Sequence, residues 1–290
     1  MKLTDRDLLE LCELAKTAAL KAGEHITRFQ GQSVEVKEKS GGENIASCVV
    51  TEVDHKAQEI ILDILRPTLD RFDLGLLAEE SVDDSTRLEK DFFWCIDPLD
   101  GTLAFSRNED GYSTSIALVS KGGTAIIGVV FNPRTQNLYH AIRSMGAYKN
   151  NKALKVREYS KKLTLLYDQS YLKYPEYSQQ IEKLKVDLKA LGFESLNDHP
   201  LGGAVMNGIS TIEMAPALYY KFPKKNDGGG SIWDFAASSV IQSEANGFNS
   251  NYFKEPLKLN SAETTFMNQE GIIYSSGEDL LSLIPVVGEY

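Results

Sequence analysis

From Asp5 to Phe29 apolar residues recur every three or four positions, with Leu8, Leu11, Cys12, Ala15, Ala18, Ala19, Ala22, Ile26 and Phe29 on one face, which predicts an amphipathic helix. Thr4, with Asp7 three residues on, makes a capping-box start for it. The polar stretch around Gly41-Gly42 predicts an exposed loop or hairpin tip. A second helix is expected to begin near Asp54, to carry Ala57, Ile60, Ile61, Ile64 and Leu65 on one face, and to stop at Pro67.

The period then shortens. Leu74 to Ala78, Phe92 to Ile96, Thr114 to Val119, Ala125 to Phe131 and Asn137 to Ile142 read as strands, and the turn formers Lys121-Gly122-Gly123 and Asn150-Asn151 suggest antiparallel pairing. After Arg157 the pattern changes to a strand at Leu163 to Tyr167, a helix at about Pro175 to Leu191, and a Gly-rich turn with a helix after Gly202. A Lys/Gly-rich loop from Lys221 to Ser231 and a helix from Asp234 to about Ala245 follow. These alternating blocks predict a layered α/β or α+β unit, with an N-terminal half of about 1–157 and a C-terminal half of about 158–290.

With 290 residues, 42% of them hydrophobic, the chain can bury a large core. The opening segment is charged, and no apolar run approaches the roughly 18 residues of a membrane span or forms the core of a signal peptide. Cys12, Cys48 and Cys95 are odd in number and lack CxxC spacing, as expected of thiols in a reducing compartment, so a cytoplasmic setting without a membrane is expected. A net charge of −10 opposes a nucleic-acid polymer as partner. An anionic small molecule is still possible, because metal ions can bridge the two like charges.

Acids concentrate where predicted strands and helices meet loops. Glu79-Glu80-Ser81 follows one apolar strand, Asp97-Pro98-Leu99-Asp100-Gly101-Thr102 follows another, and Trp233-Asp234 precedes an Ala/Ser-rich helix. Mg²⁺ prefers hard oxygen ligands and is commonly held by a few carboxylates plus water and substrate phosphate. Pro98 and Gly101 allow Asp97 and Asp100 to point to one side with the Leu99 carbonyl between them, and a helix starting at Gly101 would turn free N–H groups towards a phosphate. Each segment alone has a plainer reading, as a solvated acidic turn, an Asx-type turn or a helix cap. Asp-Pro-x-Asp-Gly-Thr, however, is expected by chance in roughly one in ten thousand chains of this length.

These blocks, in this order, resemble the inositol monophosphatase superfamily. Thr51-Glu52-Val53-Asp54 is similar to its Thr-x-x-Asp, and Glu244-Ala245-Asn246-Gly247 to its Glu-Ala-Gly-Gly. The resemblance implies an α-β-α-β-α sandwich, often a homodimer, and hydrolysis of a small phosphate monoester with two or three Mg²⁺ ions. By position, Glu79, Asp97, Asp100, Asp234 and the Leu99 carbonyl would hold metal, with Glu80 and Thr51 nearby. Glu79 would also touch the attacking water, Thr102 hydrogen-bonded to Asp54 would orient and help deprotonate it, and the Gly101 and Thr102 amides would take the phosphate. Inhibition by Li⁺ is a further implication.

Two departures bear on the substrate, which the resemblance leaves among inositol phosphates, nucleotide bisphosphates and sugar phosphates. Inositol-phosphate enzymes tend to have Tyr-Tyr-Glu where this chain has Tyr219-Tyr220-Lys221, and a Lys there suits a second anionic group. The 3′(2′),5′-bisphosphate nucleotidases usually carry Lys after Asp-Gly-Thr, where this chain has Leu103. Inositol monophosphatase-type hydrolysis is the first reading and bisphosphate nucleotidase the second. A catalytically silent metal- or anion-binding protein is the rival from another class, and retention of Asp54, Thr102 and Asp234 opposes it.

Overall fold

The structure is a computed structural model that describes residues 2–31, 45–157, 160–168, 171–172, 177–200, 202–225 and 228–285, and the side chains of 45–51 lie outside the described set. The Gly41-Gly42 loop and the side chains of Cys48 and Thr51 therefore lie outside the described residues.

Helix α1 (Asp5–Thr27) starts at the predicted capping box, with Thr4 and Asp7 exchanging hydrogen bonds. Helix α2 (Ile45–Arg71) departs from expectation at both ends, beginning earlier than Asp54 and running through Pro67. Packing of its last turn offsets the missing proline donor: Thr68 is buried, its hydroxyl donates to the Leu65 carbonyl, and it accepts Trp94 Nε1–H at 2.8 Å.

The first sheet has seven strands in sequence order: β1 (Gly75–Ala78), β2 (Phe92–Asp100), β3 (Ser113–Ser120), β4 (Ala125–Asn132), β5 (Asn137–Ile142), β6 (Ala147–Lys149) and β7 (Lys152–Leu154). Only β1 and β2 pair in parallel. Asn150 and Asn151, at φ of 48° and 62°, form the β6–β7 turn. Those two short strands escaped prediction. A short helix α3 (Thr102–Ser106) follows β2.

The second sheet has the order β11-β12-β10-β8-β9. It is built from β8 (Lys162–Tyr167), β9 (Ser195–Pro200), β10 (Ala217–Lys221), β11 (Phe248–Ser250) and β12 (Ile272–Ser275), with helices α4 (Tyr177–Ala190), α5 (Ala204–Glu213) and α6 (Ile232–Glu244) between them in sequence. β9 was not foreseen, because Ser-Leu-Asn-Asp-His-Pro at a sheet edge has no apolar alternation.

Alternation along β2 shows the layering. Trp94 and Ile96 face a core shared with Leu11, Ala15, Ile61 and Leu65 of α1 and α2. Phe93 and Cys95 face the opposite core, which holds Val205 and Ile209 of α5, Phe235 and Val240 of α6, and Tyr219 and Tyr274 of the second sheet. The outer face of that sheet packs Leu163, Leu165 and Leu218 against Ile181, Leu184 and Leu188 of α4. The result is the α-β-α-β-α sandwich, with α5 and α6 between the sheets. Among the described residues no helix is long and apolar enough to cross a membrane.

Candidate active site

Asp97 and Asp100 lie within β2, whereas the sequence suggested a turn after a shorter strand. In a regular strand, residues three apart face opposite sides. Here Asp97 pairs with Ser115 and Asp100 with Ser113, so β2 carries one residue more than β3 across this interval and the register shifts. The bulge returns both carboxylates to one face, where they meet Asp234 with ligand oxygens all within 4.8 Å of one another. Leu99, between them, buries its side chain in the α1/α2 core, which leaves its carbonyl as the group available to a ligand.

Each acid of this triad is held by backbone. Asp97 Oδ1 accepts the Leu99 N–H at 3.0 Å. The Ala204 and Val205 amides, at the start of α5, donate to the two Asp100 oxygens at 3.1 and 3.0 Å. Gly203 is required here, because a Cβ on it would come within 2.0 Å of Asp100 Oδ2. Asp234, in the first turn of α6, accepts the Ser231 N–H at 2.6 Å.

Glu79 continues the β1 direction, its N–H donating to the Ile96 carbonyl at 3.1 Å, and its carboxyl lies beside the side chains of Asp97 and Trp233. Asp54, on α2, is buried and faces the charges of Glu79 and Glu80. Glu80 turns outward to His55, Oε2 to Nε2 3.1 Å. Gly101 sits at φ 81° and caps α3, whose first residue, Thr102, is exposed. Asp54 Oδ1 is buried without a hydrogen-bond partner, so the expected Thr102–Asp54 hydrogen bond is not formed. With only five residues, α3 brings little helix dipole to an anion.

The cluster is electrostatically unbalanced. Burial first, and then the charges of Glu79, Asp100 and Asp234, hold Asp97 well above the usual carboxylate range. Asp100 is raised likewise by burial and Asp234, against the pull of the Val205 amide and Lys221. Asp234 is raised by burial, while Lys221 pulls it down. Burial and then Glu79 and Glu80 push Asp54 up to about 8. Glu79 is pushed up to about 7 by its surroundings and by Asp234 and Glu80, although its surface is exposed, so water screens it and the buried Asp54 carries more of the effect. An all-oxygen donor set, an orphaned buried carboxylate oxygen and uncompensated charge together fit a hard divalent cation.

Lys221 lies at the end of β10 on the second sheet. It is already paired: Nζ meets Asp168 Oδ2 at 2.7 Å, and Asp168 Oδ1 accepts from Tyr219 OH and Asn207 Nδ2, both at 3.0 Å. Burial works to lower the Lys221 pKa, but Asp168, Asp234 and Asp100 together hold it above its ordinary value. Asp168 and Lys221 border a cavity lined also by Tyr171, Tyr220, Phe222 and Lys224. Asp168 and this aromatic wall were not anticipated. The available clue was an acid immediately after an apolar strand, the feature that marked Glu79.

A carboxylate cluster at the end of one strand and the start of one helix, inside a five-layer sandwich, is a set that could hold a metal ion. The sequence profile of the inositol monophosphatase family matches residues 7–285. An inositol-1-monophosphatase from Synechocystis is 30% identical over 279 residues, covering 96% of this chain and 91% of the relative. A fructose-1,6-bisphosphatase/inositol-1-monophosphatase from Thermotoga maritima is 27% identical, covering 88% and 89%, and the Nus factor SuhB of Vibrio cholerae is 25% identical, covering 96% of each chain. Among solved structures, an inositol monophosphatase from Anabaena superposes with a TM-score of 0.68 at 22% identity, covering 98% of this chain and 100% of that one. SaIMPase-II, solved with 2′AMP bound, superposes at 0.69 and 22% identity, covering 93% and 92%. The chain belongs to the inositol monophosphatase family.

Proposed function

We propose that this protein hydrolyses a small phosphate monoester with Mg²⁺, in the manner of an inositol monophosphatase, at the Asp97–Asp100–Asp234 cluster. The observation that carries the reading is the convergence of these carboxylates within 4.8 Å of one another while Lys221 is already paired with Asp168. Asp97, Asp100, Asp234, Glu79 and the Leu99 carbonyl would hold two or three ions, with Glu80 in a supporting position. Bound there, Mg²⁺ supplies Lewis-acid polarisation of the phosphoryl group and favours deprotonation of a nearby water.

The chain's own groups do the rest. Glu79 reaches towards the attacking water, and Asp54, buried beside it, would help deprotonate that water in its ionised form, which cations at the neighbouring acids favour. Thr102 orients that water once its hydroxyl engages the free Asp54 oxygen, and the Gly101 and Thr102 amides bind phosphate oxygens. Lys221 meets the leaving group, its ammonium aimed by Asp168. A cytoplasmic homodimer and inhibition by Li⁺ belong to the same reading.

A second substrate reading is supported by the cavity beside Lys221. Its wall of Tyr171, Tyr220 and Phe222 with Lys224 suits a planar, anionic leaving group better than a bare polyol, which favours a nucleotide bisphosphate. The test is phosphate release with Mg²⁺ from inositol 1-phosphate, adenosine 3′,5′-bisphosphate and fructose 1,6-bisphosphate, for the wild type and Asp100→Asn. Turnover of one ester, lowered about a thousandfold by the substitution, is the expected result, since a metal ligand contributes several kcal/mol of charge stabilisation. Equal inactivity of both proteins on all three would transfer support to a silent binder.

A further inference from the structure

One buried amide ties the Glu79 segment to α2. Gln58 is 5% exposed, its Nε2 donates to Ser81 Oγ at 2.7 Å, and its Oε1 accepts the Glu80 backbone N–H at 2.9 Å. Asp54 precedes it by four residues on the same helix, so both side chains emerge from one face. We propose that Gln58 is a positioning residue that sets metal affinity, by fixing the Glu79–Ser81 segment against the helix that carries Asp54. The inference rests on the reading that these acids hold Mg²⁺.

Three acids, Asp54, Glu79 and Glu80, meet at this junction, so a cation bound there depends on how firmly the segment is held against α2. Among the described residues few contacts hold it. The Glu79 N–H is anchored to Ile96, the Ser81 N–H closes a turn onto Ala78, and Val82 beyond is 95% exposed, so the turn gains no apolar anchor there. His55 draws the Glu80 carboxylate outward, and Gln58 holds the Glu80 and Ser81 positions from the helix side. Both restraints come from α2. Together they leave Glu79, rather than Glu80, turned towards Asp97. A carboxamide does this without adding charge to an already acidic junction, which a Glu at the same position could not.

The test uses the full chain, stripped of metal by chelation and titrated with Mn²⁺, with free Mn²⁺ read by electron paramagnetic resonance well below the melting temperature. Gln58→Met keeps the side-chain length but removes both hydrogen bonds, and it is expected to weaken Mn²⁺ binding about tenfold, as loss of a ligand-orienting partner does. Ser81→Ala removes one bond and is expected to weaken it about threefold. It decides the matter if Gln58→Met does not fold. A packing role alone would lower the metal-free melting temperature and leave the affinity of the folded protein untouched. Wild-type affinity in the variants therefore overturns the inference, whereas a wild type that takes up no Mn²⁺ overturns the metal reading itself.

Discussion

On the first sheet, Asp97, Asp100 and Glu79 confront Asp234 from α6, and among the described residues no Lys or Arg is ion-paired with any of them. On the second sheet, the single acid Asp168 is satisfied by Lys221, Tyr219 and Asn207. Both sets are largely withdrawn from solvent, with Glu79 at the exposed edge of the first, but only the second balances its own charge. A balanced set is complete within the chain and can serve recognition, while an unbalanced one is complete only with a cation from outside. In the proposed reading the two sheets divide the work, the first holding the cation and the second lining the side of the leaving group.

This contrast breaks most visibly if the second sheet loses its balance. Lys221→Met keeps the aliphatic stem and leaves Asp168 without its cation, at a cost of about 3 kcal/mol given that the pair is partly exposed. For a chain of this size that is a fall of roughly 5–6 °C in the metal-free melting temperature. Adding Asp168→Asn should restore most of it, because the uncompensated charge goes too. Thermal denaturation of the single and double variants gives the coupling. A single variant as stable as wild type would mean that Asp168 is neutralised by something other than Lys221.

The imbalance on the first sheet has its own signature. Asp54 titrates near 8 when folded and at about 4 when unfolded, so the folded chain holds the extra proton between those values. Its contribution to stability is fully present below pH ~4 and is lost as pH rises through the folded pKa, with Glu79 adding a smaller share because it is exposed. The metal-free protein should therefore lose about 5 °C of melting temperature between pH 5 and pH 8. Saturating Mg²⁺ should flatten or reverse the trend, since a cation binds the deprotonated carboxylates. A metal-free profile that is flat or rises over that range would show that the acids are already neutralised.

How much of this was legible in the sequence depended on locality. The period of α1, its capping box and the Asp-Pro-Leu-Asp-Gly-Thr string are all written in neighbouring residues. The bulge in β2 was not, because Asp, Pro and Gly are ordinary turn formers and only pairing with β3 shows that the strand continues to Asp100. Helix α2 runs past Pro67 because Thr68 and Trp94 meet across the core, a contact that no window of local sequence contains. Lys221 stands out in the sequence as a departure from Glu, yet its pairing with Asp168 depends on the parallel pairing of β8 and β10. The acidic cluster is built largely from contiguous motifs, and the Asp168 set from single residues after β8, on α5 and in β10. That is why the first was readable and the second was not.

The smallest of the expected effects bears on where the two sides meet. Leu103 is 52% exposed in α3, next to Thr102, at the position where nucleotidases of the family carry Lys. Substitution there touches no core, so Leu103→Lys should leave stability within about 0.5 kcal/mol. A cation at that point would lie one residue from Thr102 and would attract a second phosphate without altering the carboxylates. Its exposure limits the gain to about threefold in kcat/KM for adenosine 3′,5′-bisphosphate, lost at high salt, with inositol 1-phosphate unchanged. Steady-state kinetics at two ionic strengths measure this directly. An equal rise for both esters would indicate general steering of anions towards the cleft, and no rise for either would place the second-anion function wholly on the Lys221 side.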